Sequence, residues 1–325
     1  MTAIAMETLV TVFGGSGFLG RHVVRALARQ GYRVRVAVRR PHLAGYLQPL
    51  GRVGQIHAVQ ANLRFSESVQ AAARGSDAVV NLVGILFESG RQRFDAVHRE
   101  GAETVARAAA SLNAELVHIS AIGADEKSPS QYARTKAMAE RLVLAAHPKA
   151  VILRPSIIFG PEDSFFNRFA AMASFAPALP LIGGGHTRFA PVFAGDVASA
   201  VVAAMEERAR PGQIYELGGP ETRSFKELMQ FMLKTIGRRR MLMPLPFPLA
   251  KLQASFLQLL PKPLLTVDQV ELLRRDNVVS EAAHQDGRTL SGLGIEPVAM
   301  ESVVPFYLAR FRKSGQFADQ HIISG

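Results

Sequence analysis

A glycine-rich turn, Gly14-Gly-Ser-Gly17-Phe-Leu-Gly20, constrains this chain more than any other feature. It follows an apolar run, Leu9-Val-Thr-Val-Phe13, and opens a helical pattern from Phe18 to Arg29. That pattern puts Leu19, Val23, Val24 and Leu27 on one face and Arg21, Arg25 and Arg29 on another. Glycine reaches positive φ and lets a second backbone approach closely. A strand, such a turn and a helix can therefore aim amides and a helix N-terminus at a pyrophosphate. A turn needed for packing alone also uses glycine, and the flanking strand and helix favour the binding reading. Gly14, Ser16, Gly17, Phe18, Leu19 and Gly20 are the expected contacts.

Beyond the turn, short β-branched runs alternate with helical patterns. Strands are expected at 33–38, 56–60, 77–83, 115–119 and 150–154, with helices at 101–110 and 132–146. This alternation predicts an α/β chain with a doubly wound parallel Rossmann sheet over residues 1–160, to which about 190–217 return. After Arg154, glycine and proline become frequent, and 161–325 are expected to form a smaller C-terminal α/β domain. With 48% apolar and 20% charged residues, the chain can form a core, so bulk disorder is excluded. It has no cysteine, which excludes disulfides, thiolate metal sites and a thiol nucleophile. No metal site is expected. The net charge of +11 suits an anionic partner, whether phosphate, acidic protein, lipid or nucleic acid. No secretory signal, Arg-rich transit segment or bilayer-spanning run of about 20 apolar residues is apparent.

The Gly-x-x-Gly-x-x-Gly spacing resembles the short-chain dehydrogenase/reductase superfamily, in its extended or atypical members. An NAD site needs a carboxylate at the end of the second strand. Here Val38 is followed by Arg39 and Arg40, and a guanidinium can grip a 2′-phosphate, so NADP(H) is the expected cofactor. Asn62 and Leu63 stand where the superfamily contacts adenine. Leu82, Val83 and Gly84 match its cofactor-lining loop, and Pro155 and Ile157 complete the expected set. Tyr132-Ala-Arg-Thr-Lys136 puts a phenol and an ammonium on one helix face, where the lysine can help the phenol pass a proton. The rest of the superfamily's catalytic set departs from pattern. Ser120 lies at the strand end, Ile122 stands where extended members carry serine, and His98 replaces the helix asparagine. Tyr132, Lys136 and Ser120 are thus either catalysts or mere holders of the nicotinamide ribose.

Longer runs narrow the resemblance. Val80-Asn-Leu-Val-Gly84, Phe159-Gly-Pro-Glu-Asp-Ser-Phe-Phe-Asn167, Pro191-Val-Phe-Ala-Gly-Asp-Val197 and Leu245-Pro-Phe-Pro-Leu249 resemble the nucleotide-binding accessory subunit of respiratory complex I. That resemblance implies a tightly held NADPH with Arg39 at its 2′-phosphate. It also implies hydrophilic-arm and membrane-arm subunits as partners. The place it implies is peripheral, on the cytoplasmic (or mitochondrial matrix) side of the inner membrane. Arg238-Arg-Arg240, Pro-Phe-Pro and an apolar helix over Leu249–Leu260 have the layout of an anchor to anionic lipid. Equally, that helix could cover a domain core. At about 18 Å it is too short to span a bilayer. Nothing accompanies the arginines to make a nucleic-acid module. Two functions stay open: a nucleotide-binding assembly subunit, or a free NADP-dependent reductase or epimerase. A DNA-binding sensor would rest on charge alone.

Overall fold

The computed structural model describes residues 7–260 and 263–313. The chain divides into two units, one formed by Met1–Pro155, Ala194–Leu217 and Val279–Glu296, the other by Ser156–Phe193, Gly218–Val278 and Pro297–Gly325. Residues 279–296, expected in the smaller domain, fall in the first unit.

The first unit is built on seven parallel strands: β1 (Leu9–Phe13), β2 (Arg33–Val38), β3 (Ile56–Gln60), β4 (Ala78–Asn81), β5 (Glu115–Ile119), β6 (Val151–Pro155) and β7 (Ile214–Leu217). Their order is β7-β6-β5-β4-β1-β2-β3. Helices α1 (Phe18–Arg29), α2 (Ser66–Ala73), α3 (Gly101–Ser111), α4 (Gln131–Ala146) and α5 (Ala194–Met205) supply the crossovers and cover. Strands covered on both faces need continuous apolar runs, which is why Val10, Val12 and Phe13 are all fully buried. Thr11 is the polar exception, and its hydroxyl is paired with that of Ser76 at 2.6 Å. Alanines of α3 (102, 106, 109) allow close packing on the sheet.

Two local differences from expectation have physical causes. β4 stops at Asn81 rather than Val83, because the Asn81 side-chain oxygen accepts the Val83 N–H (3.1 Å) and draws the backbone out of the ladder. Before α3, residues Asp95–Glu100 form a π-helical turn that apolar spacing does not announce.

The second unit packs around Phe159, Phe166, Leu179, Leu181, Phe225 and Leu228. Its helix Phe225–Thr235 opens on a capping box, Ser224 with Glu227. Asp163, within the run Phe159–Asn167, is buried and accepts from Tyr307 Oη and the Gly160 and Asn167 amides. The apolar helix runs Phe247–Leu257, short of Leu260. It covers a small cluster with Ala250, Ala254 and the partly buried Phe247, and turns Leu249 (53% exposed), Leu252 (57%) and Phe256 (69%) outward. Arg238 and Arg240 are tied to the carbonyls of Phe311 and Ala173. No described helix is long and apolar enough to cross a membrane.

Candidate functional site

The strand order reverses at β1, whose neighbours are β4 and β2. In an open parallel sheet that reversal leaves a crevice beyond the carboxyl ends of the strands. The glycine turn stands there. Gly14 has φ +81° and packs beneath the Val83 side chain. A Cβ on Gly20 would lie 2.4 Å from the Gly14 carbonyl oxygen, so only glycine lets α1 begin this close to β1. The N-terminus of α1 has no side-chain cap and no acidic residue in its first turn. Its amides are therefore directed at a place where negative charge is favoured. Tyr46 donates its hydroxyl to the Ser16 carbonyl (2.6 Å), bracing the turn from outside. Phe18 and Leu19 are half-buried in the first turn of α1.

At the end of β2, Arg39 and Arg40 are exposed, and no carboxylate stands beside them in sequence. Asn62 follows β3 and commits its side-chain oxygen to the Arg64 amide (3.2 Å). Leu63 packs against Gly101 at the start of α3.

The tyrosine and lysine come from α4, which starts at Gln131 because Ser130 caps it by accepting from the Ala133 amide. Lys136 is 4% exposed relative to full accessibility, as its residue class demands only rarely. Its ammonium donates to the Ile119 carbonyl (3.0 Å), and burial brings its pKa from 10.5 down to about 8. Glu140, one turn on, opposes that shift. Tyr132 is half-buried, its ring edge-on to His98 (5.3 Å) and to Phe94 (6.0 Å).

His98, carried on the π-helical turn, has both ring nitrogens engaged. Nε2 accepts from the Ile85 amide (3.0 Å), and Nδ1 lies 3.1 Å from the Thr135 hydroxyl. That hydroxyl in turn donates to the Tyr132 carbonyl (3.0 Å). An accepting Nε2 requires the proton on Nδ1, which fixes one neutral tautomer. Burial, with the Lys136 charge nearby, holds the ring neutral, its pKa at about 2. Below it, His118 pairs with Asn81 (3.2 Å) and is also held neutral by burial. The Ser120 hydroxyl is buried with no hydrogen-bond partner among the described residues.

Glycines 14, 17 and 20, Ser16, the 82–84 loop, Tyr132 and Lys136 thus surround the sheet's carboxyl edge in the first unit. Pro155 ends β6 and accepts the amide of buried Ile122. Ile157 lies in the second unit against its phenylalanine core. Sequence reasoning passed over His118, Thr135 and Gln92, whose partners are far away in the chain.

Residues 10–218 match the model of the NAD dependent epimerase/dehydratase family. The mitochondrial NADH dehydrogenase (ubiquinone) 1 alpha subcomplex subunit 9 of Arabidopsis thaliana is 34% identical over 320 residues, covering 94% of this chain and 79% of that protein. The ceramide reductase of Caulobacter vibrioides is 34% identical over 195 residues, 60% of each protein. Among solved structures, the crystal structure of gox2253 is similar in fold, with a TM-score of 0.71 and 22% identity, covering 95% of this chain and 99% of that one.

Proposed function

Because the chain belongs to the NAD dependent epimerase/dehydratase family and to the complex I subunit 9 group within it, we propose that it is an NADP(H)-binding accessory subunit of a complex I-type NADH:quinone oxidoreductase. The nucleotide is held rather than turned over. The residues present fit that group. The uncapped start of α1 and the bare glycines suit the pyrophosphate. Arg39 offers a charge-assisted fork to a 2′-phosphate, and Tyr132 and Lys136 offer hydrogen bonds to the nicotinamide ribose. When bound, the nicotinamide supplies a hydride donor or acceptor.

The engagement of His98 carries the non-turnover reading. A proton leaving the Tyr132–Lys136 pair needs an acceptor that can take it up. His98 has spent Nε2 on Ile85 and Nδ1 on Thr135, and burial opposes its charging. Ser120, the remaining partner, has its hydroxyl enclosed. The outward leucines and Phe256 of the second unit support a peripheral place against the membrane arm or anionic lipid.

The test is native mass spectrometry of the purified complex together with NADH:quinone turnover in membranes carrying Tyr132→Phe. The expected results are NADP(H) released on denaturation, co-purification with respiratory subunits, and turnover within twofold of the parent. Isolation only as a homo-oligomer free of respiratory subunits would overturn the assignment. A second reading, a free NADP-dependent reductase, is favoured by the intact dyad and by the likeness to the Caulobacter protein named ceramide reductase. Under it, Tyr132→Phe would lose roughly 10²–10⁴-fold in rate with nucleotide still bound.

A further inference from the structure

We propose that residues 82–94 form a clasp across the nucleotide cleft and that Gln92, at its tip, is a nucleotide-binding residue beside Arg39. The inference rests on the nucleotide reading above.

The chain leaves β4 at Asn81, and Val83 at once closes over Gly14 at the end of β1. Gln92, nine residues further on, places its side-chain oxygen to accept from the guanidinium of Arg39, beyond the end of β2. β1 lies between β4 and β2. The segment therefore crosses two strand spacings, roughly 10 Å, over the carboxyl edge where the glycine turn sits.

Its tip is a built turn. Ser89 and Gln92 exchange both backbone hydrogen bonds, each 3.0 Å, around Gly90 at φ +55°. Glu88 holds the base of that turn, accepting the Phe94 amide at 2.8 Å and standing 4.0 Å from the Arg93 guanidinium. Phe94 is buried against the rings of His98 and Tyr132. The clasp thus meets Arg39 at its tip, through Gln92, and Tyr132 of the dyad at its base, through Phe94. Those are the two places that the ends of an extended dinucleotide would occupy. A glutamine amide carries both an acceptor and two donors. Gln92 can therefore accept from Arg39 and donate to an oxygen of a phosphorylated adenosine ribose in the same geometry. A ligand lying beneath the clasp leaves only after the Gln92–Arg39 contact opens.

The experiment uses the full chain loaded with NADPH and chased with excess NADP⁺, the loss of bound NADPH fluorescence giving the release rate. Losing a hydrogen bond to a charged partner corresponds to about tenfold or more, so Gln92→Ala and Glu88→Ala are each expected to release NADPH at least that much faster. Both side chains are near the surface, and the melting temperature of the nucleotide-free variants reports whether each has folded as the parent does. Binding in the parent with unchanged release in both folded variants overturns the clasp and leaves the nucleotide reading standing. Failure of the parent to bind NADPH or NADP⁺ overturns the nucleotide reading, and the clasp with it.

Discussion

Lys136 is a charge held where the fold alone would not keep one, and replacing it should separate binding from stability. In the nucleotide-free protein burial brings its pKa from 10.5 to about 8. At roughly 1.4 kcal/mol per pH unit, that difference means the charged form costs the folded state about 3 kcal/mol. The group is a base with a depressed folded-state pKa. Its cost is therefore fully present below pH 8, shrinks between pH 8 and 10.5, and is gone above that range. Lys136→Met removes the charge and keeps most of the volume. It also leaves the Ile119 carbonyl, now 3.0 Å from the ammonium, without its donor, a loss of about 1 kcal/mol. At pH 7 the variant should be more stable by about 2 kcal/mol, or roughly 3 °C in a chain this long. At pH 10.5 the sign should reverse, with the parent ahead by about 1 kcal/mol. Urea unfolding of parent and variant without nucleotide, at both pH values, measures this directly, because other titrating groups cancel in the difference. A variant less stable than the parent at pH 7, or a difference independent of pH, would refute the reasoning. The same variant should bind NADPH more weakly, having lost a hydrogen-bond donor to the ribose.

Gly20→Ala would force a Cβ to 2.4 Å from one backbone oxygen and 2.5 Å from another. A loss of about 1–3 kcal/mol is expected in thermal unfolding, together with loss of the melting shift given by NADPH. His98 and His118, with pKa values lowered to about 2 and about 3, must stay neutral to remain folded, whereas an unfolded histidine takes up its proton near pH 6.5. Stability should accordingly fall below pH 6.5 by about 2.7 kcal/mol per pH unit from this pair, and His98→Gln should halve that slope in urea titrations between pH 6 and 5. Tyr307→Phe removes a donor from buried Asp163, so a loss of about 1–3 kcal/mol in urea unfolding is expected, with NADPH affinity unchanged.

The parallel sheet was legible because strands buried on both faces need unbroken apolar runs. β1 and β5 follow such runs closely, whereas β2 and β3, which carry Arg33, Arg35, His57 and Gln60, were legible from their β-branched residues and their place in the alternation with helices. Leu82 and Val83 continue the apolar run of β4 past the strand's end at Asn81. Its end is set by a side-chain oxygen at Asn81, which hydrophobicity does not register. In the helix Phe247–Leu257, periodicity identified a face of large apolar side chains but not its direction. Alanines at 250 and 254 allow a closer approach, and they face inward.

The site divides in the same way. The glycine turn and the Tyr132–Lys136 pair are local, and spacing alone puts each on the correct element. What decides between holding and turning over is not local. A histidine at position 98 is compatible with a proton relay or with a lock. The choice depends on an amide thirteen residues before it and a hydroxyl thirty-seven residues after it. The π-helical turn is what carries the ring to both. Had Asp95–Glu100 continued as regular α-helix into α3, the side chain would point elsewhere by a large fraction of a turn. The dyad would then border on a different group. The functional difference between a reductase and a nucleotide-holding subunit can thus reside in helix register before α3, with Tyr132, Lys136 and the glycine turn left unchanged.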